Sequence, residues 1–523
     1  LLNSLRELCV QVKIFDMNML KDKKKIHILL IVIGMVFTIL PLFHSSLWFD
    51  ESYSVSLASH SFSEIWSIDI HDVHPVFYYD CLHLLYLVFG SNILVYRLFS
   101  WACLSMIGIF GYTGIRRDFG EDTGIWFTFF VFFFPVNVVY AGEIRMYMLV
   151  SLLVLLGTFY AIRIAKGSMN HWDHLRMVLF FVLAAYTHYY GLLAAAIVNL
   201  ILLGILIVHH KQSTKKEYGI WLLDGFLQIG LYLPWLFVFI AQAGAVKQDF
   251  WIRWYWPSTL IEMILFQFSG NLGKDLFLPA AAAAGAEIAF AVYLIVLAVK
   301  DHHEHIYEKL LTFGTYTGVL AAAALAGILM HRVIVYARYL LVCTSLLLLY
   351  ISDAFARCGR KIISSIFCAA VAICAVCASL TLIKTNYSPT NQAPYEYLDA
   401  NMQAGDVILV SNYLQDPNSF IAVSRHMDHR IIYWNECAWM DESVKAYRAY
   451  GTDMTVVYNL NDVPAFSGRV WVIYADDDNR QMPINHVYNA AISHFHGTGE
   501  GTQYFQTDYK NIEYTIGLVS VDQ

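Results

Sequence analysis

Long apolar stretches separated by short basic loops dominate the first 385 residues. Runs of spanning length fall at 27–46, 92–114, 123–141, 146–165, 176–189, 190–208, 219–241, 277–299, 308–330, 338–356 and 362–383. A hydrocarbon core roughly 30 Å thick is crossed by about 20 apolar residues of helix. The pattern therefore predicts a polytopic α-helical membrane protein with about eleven transmembrane helices. His74 to Gly90 is also apolar, but it is short and carries Asp80 and His83. It reads as an amphipathic helix lying on the outer membrane face, inside a long first external loop, 47–91. Beyond 384 the pattern changes. Strand-like runs at 406–411, 455–458, 470–475 and 512–521 are interspersed with helical stretches at 394–403 and 441–449, which predicts a small α/β domain over 385–523.

Charge placement orients the runs. Lys21 to Lys25 put residues 1–26 in the cytoplasm, and Arg116-Arg117, Arg163 with Lys166, Lys215-Lys216, Lys300 with Lys309, and Arg357 with Lys361 fall in alternate loops. An odd number of spans then places four further segments outside with loop 47–91: the turn 140–147, the stretch 242–276, the turn at His331-Arg332 and the domain 385–523. No small-residue cleavage site follows the first run, so it is expected to be retained. Residues 1–18 are set aside, with Met17 or Met19 an expected start. The chain is 58% hydrophobic and only 14% charged, against about 25% charged for a soluble domain. It has no basic stripe for nucleic acid. Its nine cysteines form no paired framework; Cys374 and Cys377 sit in an apolar run as small hydrophobes.

Candidate chemistry gathers on the outer side: Asp50, Glu51, His74, Arg97, Glu143, Arg145, His188, Arg253, Arg332 and Arg338. Charged groups in a membrane protein are costly and are kept mainly for function. Carboxylates and guanidinium groups at the outer boundary suit a lipid-linked phosphosugar, whose phosphate lies at headgroup level. Guanidinium forks bind phosphate bidentately. A carboxylate beside the sugar can take the proton of an incoming hydroxyl.

In order along the chain stand Asp50-Glu51 with Tyr53, His74-Pro75-Val76, Arg97, Glu143-x-Arg145-x-Tyr147, Thr187-His188-Tyr189-Tyr190-Gly191, Leu233-Pro234-Trp235 and Ala337-Arg338-Tyr339-Leu340. With these motifs the chain resembles the GT-C glycosyltransferases of the protein mannosyltransferase type, with the bacterial lipid A aminoarabinose transferases among them. The resemblance covers 27–384. It implies a GT-C fold and inverting transfer from a polyprenyl-phosphate sugar to a hydroxyl of protein, glycan or lipid on the extracytoplasmic face of the plasma membrane. It implies Asp50 as base, Glu51 and Glu143 beside the reacting groups, and Arg338, with Arg332, Arg145 and Arg97, near the donor phosphate. His74, Tyr53, Tyr147, His188, Arg253 and Tyr339 would line the pocket. Asp50 and Glu143 could share a divalent cation, but no cofactor is expected, since the nearer relatives act without metal. The chain departs from the family's usual His-Pro-Pro at Val76, and it has Glu143 where some relatives have Asp.

Structural readings stand beside these. Asp50 would cap a helix starting at Glu51, Glu143 and Arg145 would pair with each other, and His74 would mark a turn. His188 would serve a buried hydrogen bond, and Arg338 would snorkel to the interface. The aromatic run 251–256 would form an interfacial belt. Asp476 to Asp478 ends a strand as nucleotide-sugar metal triplets do, but it lies on the side where nucleotide sugars are not supplied. Rival functions are a lipid-linked sugar transporter or flippase, which would need paired halves, a polysaccharide polymerase or ligase, and a receptor-like protein merely anchored by its spans.

Overall fold

The computed structural model describes residues 22–208, 214–248, 266–268, positions 285, 288, 289, 292, 293 and 296, then 305–357, 361–411, 419–436, 441–451, 454–464, 466, 468–476 and 484–521. Among these, eight helices are long and apolar enough to cross a membrane: Lys23–Leu42, Ile93–Phe119, Tyr147–Ala165, Tyr189–Val208, Lys215–Gly244, Ile306–Met330, Ala337–Arg357 and Ser364–Asn386. Large apolar side chains such as Phe226, Phe237, Ile328, Leu329 and Ile366 stand exposed on them. That pattern suits a lipid solvent and would be a liability in water. The protein is a multi-pass integral membrane protein. The run expected at 277–299 lies, apart from isolated positions, outside the described residues, as do Arg253 and the aromatic run 251–256.

Two further expected spans appear in shorter pieces. The run 123–141 forms two helices, Glu121–Phe133 and Pro135–Tyr140. Pro135 cannot donate to the preceding turn, and it drives Phe134 to an extended conformation (ψ 125°). The run at 176–189 forms His171–Thr187 and ends at the extended His188 (φ −160°). Helix Leu341–Arg357 is buried along nearly its whole length. It packs against Tyr147–Ala165 and Glu121–Phe133, and Ser345 meets Ser151 hydroxyl to hydroxyl (3.1 Å). Small polar contacts of this kind tie helices together where lipid offers no hydrophobic drive. The stretch Phe77–Phe89 is a helix of 13 residues, about 20 Å long and too short to cross. It buries Tyr78, Tyr79, Leu82 and His83 and exposes Leu84, Leu87, Val88 and Phe89.

The basic groups collected by the charge pattern meet acids at one end of the bundle. Arg163 pairs with Asp118 (3.4 Å) and Asp173 (3.1 Å), and Lys166 pairs with Glu308 (2.6 Å). Helix Tyr147–Ala165 carries the chain from the acidic motifs to that end, about 28 Å away.

The remaining chain builds a six-stranded sheet: β1 Val407–Ser411, β2 Arg430–Trp434, β3 Thr455–Val457, β4 Val470–Asp476, β5 Gly497–Gln506 and β6 Glu513–Val521, in the order β3-β2-β1-β4-β6-β5. The first four strands are parallel, and β6 runs antiparallel to β4 and β5. The four strands legible in the pattern are present; β2 and β5 are additional.

Candidate functional site

The acidic motif folds as a helix, Phe49–Ala58. Asp50 and Glu51 occupy its first turn, where carboxylates complement the helix dipole. The N-cap is Trp48, so Asp50 does not cap this helix. Residues Glu51 to Ala58 are all buried. A row of small hydroxyl side chains permits that packing. Ser52 and Ser54 donate to the carbonyls of Phe49 (2.8 Å) and Asp50 (2.9 Å), whereas the buried hydroxyls of Ser56 and Tyr53 have no hydrogen-bond partner among the described residues.

Two charge constellations sit on this helix. Glu51 is sealed from solvent and receives two parallel bonds from Arg97, 2.7 Å to Oε1 and 3.1 Å to Oε2. The Ile144 amide (3.0 Å) and the Tyr509 hydroxyl (2.7 Å) also donate to it. Arg97 in turn reaches the carbonyls of Gly142 (2.9 Å), Ser46 and His44 (3.4 Å). These two residues were expected beside reacting groups and donor phosphate. Their partners hold them together as a buried brace between the first loop, the turn 141–146 and the soluble sheet.

Asp50 faces the other way. Its Oδ2 lies 3.2 Å from Arg338 and 3.8 Å from Arg145. Arg338 is thus half-buried against a carboxylate rather than snorkelling to an interface; its guanidinium also lies near Trp48 (5.3 Å) and Tyr336 (5.0 Å). Arg145 is further held by the Asp50 carbonyl (3.2 Å), Ser54 (3.3 Å) and His74 Nε2 (3.4 Å). Glu143 does not pair with Arg145 through its side chain. The ion pair of Glu143 is with Lys510 (3.6 Å). Exposure separates the two sets: the side chains of Glu51, Arg97, Arg145 and Glu143 are 5% exposed or less, whereas Asp50 is 17%, Arg338 14%, His74 12% and Lys510 33%. Only the second set can touch a ligand without rearrangement.

Burial pushes the Asp50 carboxyl up, but Arg145, Arg338, His74 and Lys510 outweigh it and hold the group below the ordinary carboxylate value of 3.8. Burial raises Glu143 above its ordinary 4.5 in spite of Lys510. Behind them lies a second acidic pair. Asp72 accepts from Tyr79 (3.4 Å) and meets His74 (3.3 Å). Asp69 is fully buried, and its carboxyl oxygens have no hydrogen-bond partner among the described residues. Each carboxylate at Asp50 and Glu143 already faces a cation, a donor set suited to an anionic guest rather than a metal ion. Among the described residues no three His, Cys, Asp or Glu side chains group as metal ligands.

An apolar cavity of about 420 Å³ opens beside this cluster. His74, His188 and Tyr339 line it together with Leu193, Ala323 and Ala326. His188 is set there by the break between two helices. Its Nδ1 accepts from the Tyr190 amide (3.0 Å), which leaves the proton on Nε2. Its ring packs on Tyr339 (5.3 Å), His74 (5.6 Å) and Tyr147 (5.9 Å). The break depends on Gly191, where a Cβ would come within 2.3 Å of the Ala184 carbonyl. Tyr53 packs its ring on Tyr79 (5.9 Å) and Tyr450 (6.2 Å), beneath the acidic helix. Arg332 stands in the turn after Ile306–Met330, its amide donating to the Gly327 carbonyl (3.0 Å).

The soluble sheet closes the site from above. Tyr450 shares a hydrogen bond with Ser52 (2.9 Å), His60 Nε2 meets the Ala449 carbonyl (2.9 Å), and Arg425 reaches the Ser45 carbonyl. Tyr509, Lys510, Trp48, Asp69 and Asp72 are site residues that the linear pattern did not single out. The turn composition Thr507-Asp508-Tyr509-Lys510-Asn511 is readable as a corner, but its destination is not.

The chain is similar in fold to ArnT from Cupriavidus metallidurans, in crystal structures of the apo state and of the protein bound to undecaprenyl phosphate. Each has a TM-score of 0.58 and 11% sequence identity, and the match covers 94% of this chain and 97% of that one. The soluble sheet is therefore largely included, not only the membrane helices. At that identity the likeness is one of fold. No family model and no curated protein matches the sequence.

Proposed function

We propose that this protein transfers a sugar from a polyprenyl phosphate to a hydroxyl acceptor on the extracytoplasmic face of a membrane. One observation carries the reading. Asp50 is a reachable, ionised carboxylate 3.2 Å from a half-buried guanidinium, and it lies beside an apolar cavity of about 420 Å³. The ArnT structure of like fold is bound to undecaprenyl phosphate, a ligand with an apolar chain and an anionic head. The charge pattern of the loops supports eleven spans with loop 47–91 and the sheet outside.

In this reading the isoprenoid lies in the cavity below His188 and Tyr339, and the phosphate meets Arg338. The acceptor oxygen attacks the anomeric carbon from the face opposite the phosphate and inverts it. The sugar–phosphate bond breaks, and the phosphate keeps the electron pair. Asp50 takes the hydroxyl proton. The phosphate leaves as an anion, so no general acid is needed. Donor binding tunes the base as well. A phosphate on Arg338 cancels part of the positive field that holds the Asp50 proton affinity down, so the carboxylate becomes a better base once the donor is seated.

Asp50→Asn tests this. Removing a general base typically costs 10²–10⁴-fold, so turnover of a polyprenyl-phosphate sugar by purified protein should fall by about that factor while prenyl-phosphate binding persists. Undiminished turnover would take Asp50 out of the mechanism.

A further inference from the structure

Strands β5 and β6 are joined by a corner that buries Tyr509 in the site, while Asp508, Lys510 and Asn511 stay exposed. Thr507 and Ile512 close it (N to O, 2.9 Å). Lys510 and Asn511 both hold positive φ, 54° and 53°. Asparagine tolerates that conformation. For lysine it crowds Cβ against the carbonyl, and it persists only where the surroundings fix it. The fixing contacts are on the preceding residue: the Tyr509 hydroxyl donates to Glu51 (2.7 Å) and the Tyr509 amide donates to Asn391 (2.9 Å). With Tyr509 pinned, the lysine is aimed. Its Nζ lies 3.6 Å from Glu143 and 4.9 Å from the Trp48 ring. Arg338 approaches the same indole at 5.3 Å, and the indole Nε1 is buried without a hydrogen-bond partner among the described residues. An ammonium has three donors, and an ion pair at 3.6 Å fills none of them well.

We propose that Lys510 is a phosphate ligand of the transfer site, delivered by the soluble sheet to the membrane cavity. The phosphate would sit at Trp48, with Arg338 and Lys510 as its two cations. This rests on the reading of the site as one for a prenyl-phosphate-linked sugar. It makes the sheet part of the donor site: the Asp50 side supplies one cation and the β5–β6 corner the other. The proton balance is unaffected, because Lys510 stays an ammonium throughout.

The experiment titrates full-length protein in detergent with farnesyl phosphate, and with farnesol as the uncharged control, for wild type, Lys510→Gly and Lys510→Arg. Lys510→Gly removes the ammonium and relieves the backbone at φ 54°. Its affinity for farnesyl phosphate should fall roughly tenfold to a hundredfold, the range for a lost charge-assisted hydrogen bond. Its farnesol affinity should not fall, and Lys510→Arg should recover most of the affinity for farnesyl phosphate. A role confined to holding the sheet in place would instead weaken both ligands alike, and that result overturns the proposal. A second measurement needs no variant. Farnesyl phosphate, and not farnesol, should protect Lys510 of the wild type from an amine-acylating reagent; equal labelling also overturns the proposal. Wild type that binds farnesyl phosphate with Lys510 indifferent would remove only this inference. Wild type that binds no prenyl phosphate would remove the transferase reading too.

Discussion

Glu51→Gln separates a brace from a catalyst. The substitution keeps the size and one carbonyl oxygen but removes the charge that faces Arg97 at 2.7 and 3.1 Å. Breaking one side of a buried ion pair costs about 3–5 kcal/mol, because the remaining charge is stranded. Arg97 still has the carbonyls of Gly142, Ser46 and His44, which places the cost toward the lower end. An unfolding entropy of about 2.1 cal/mol/K per residue over 523 residues gives roughly 1.1 kcal/mol per degree. The melting temperature of the detergent-solubilised protein should therefore drop by about 3–5 °C. Activity should fall with it, since Glu51 also anchors Ile144 and Tyr509. Glu51→Gln combined with Arg97→Met should cost less than the two single changes added together. The reasoning fails if Glu51→Gln melts with the wild type yet loses turnover about a hundredfold, the size of effect expected for a lost proton-transfer group. That outcome would make Glu51 a group that meets substrate.

Asp69 gives a pH-dependent test. Burial, then Asp72 and Asp80, raise its carboxyl well above 3.8. The folded protein thus binds this proton more tightly than the unfolded chain, and stability falls as pH rises from 3.8 toward the raised value. Asp69→Asn should raise the melting temperature at pH 7.5, with the gain shrinking as pH approaches 4; a gain that grows in acid would refute the assignment. In the cavity, Ala326→Phe should raise KM several-fold for a long-chain donor while sparing a short prenyl donor. An equal effect on both chain lengths would remove the cavity as the seat of the tail.

Much of this architecture was written in local pattern. Helix and strand positions follow apolar runs, because each run must bury its face or meet lipid whatever its distant neighbours do. Asp50, Arg338 and His188 were found the same way, as costly polar groups beside apolar runs. The pairing among them was not legible. Glu143 and Arg145 are two residues apart in the chain, yet their side chains pair with Lys510 and Asp50. Glu51 and Asp50 are adjacent, but a step of one residue along a helix turns the side chain by about 100°. One therefore faces the interior brace and the other the opening. Strand β5 reads Gly497-Thr498-Gly499-Glu500-Gly501, with no alternation to mark it. It is an exposed edge whose extended form comes from pairing with β6.

The bond from Tyr509 to Glu51 joins positions 458 residues apart. At a ribosome's pace of about 5–20 residues per second, the two are made roughly 20–90 s apart. During that interval the acidic first loop stands without its Tyr509 contact. The Glu51–Arg97 brace is therefore completed only after the last strands have been made.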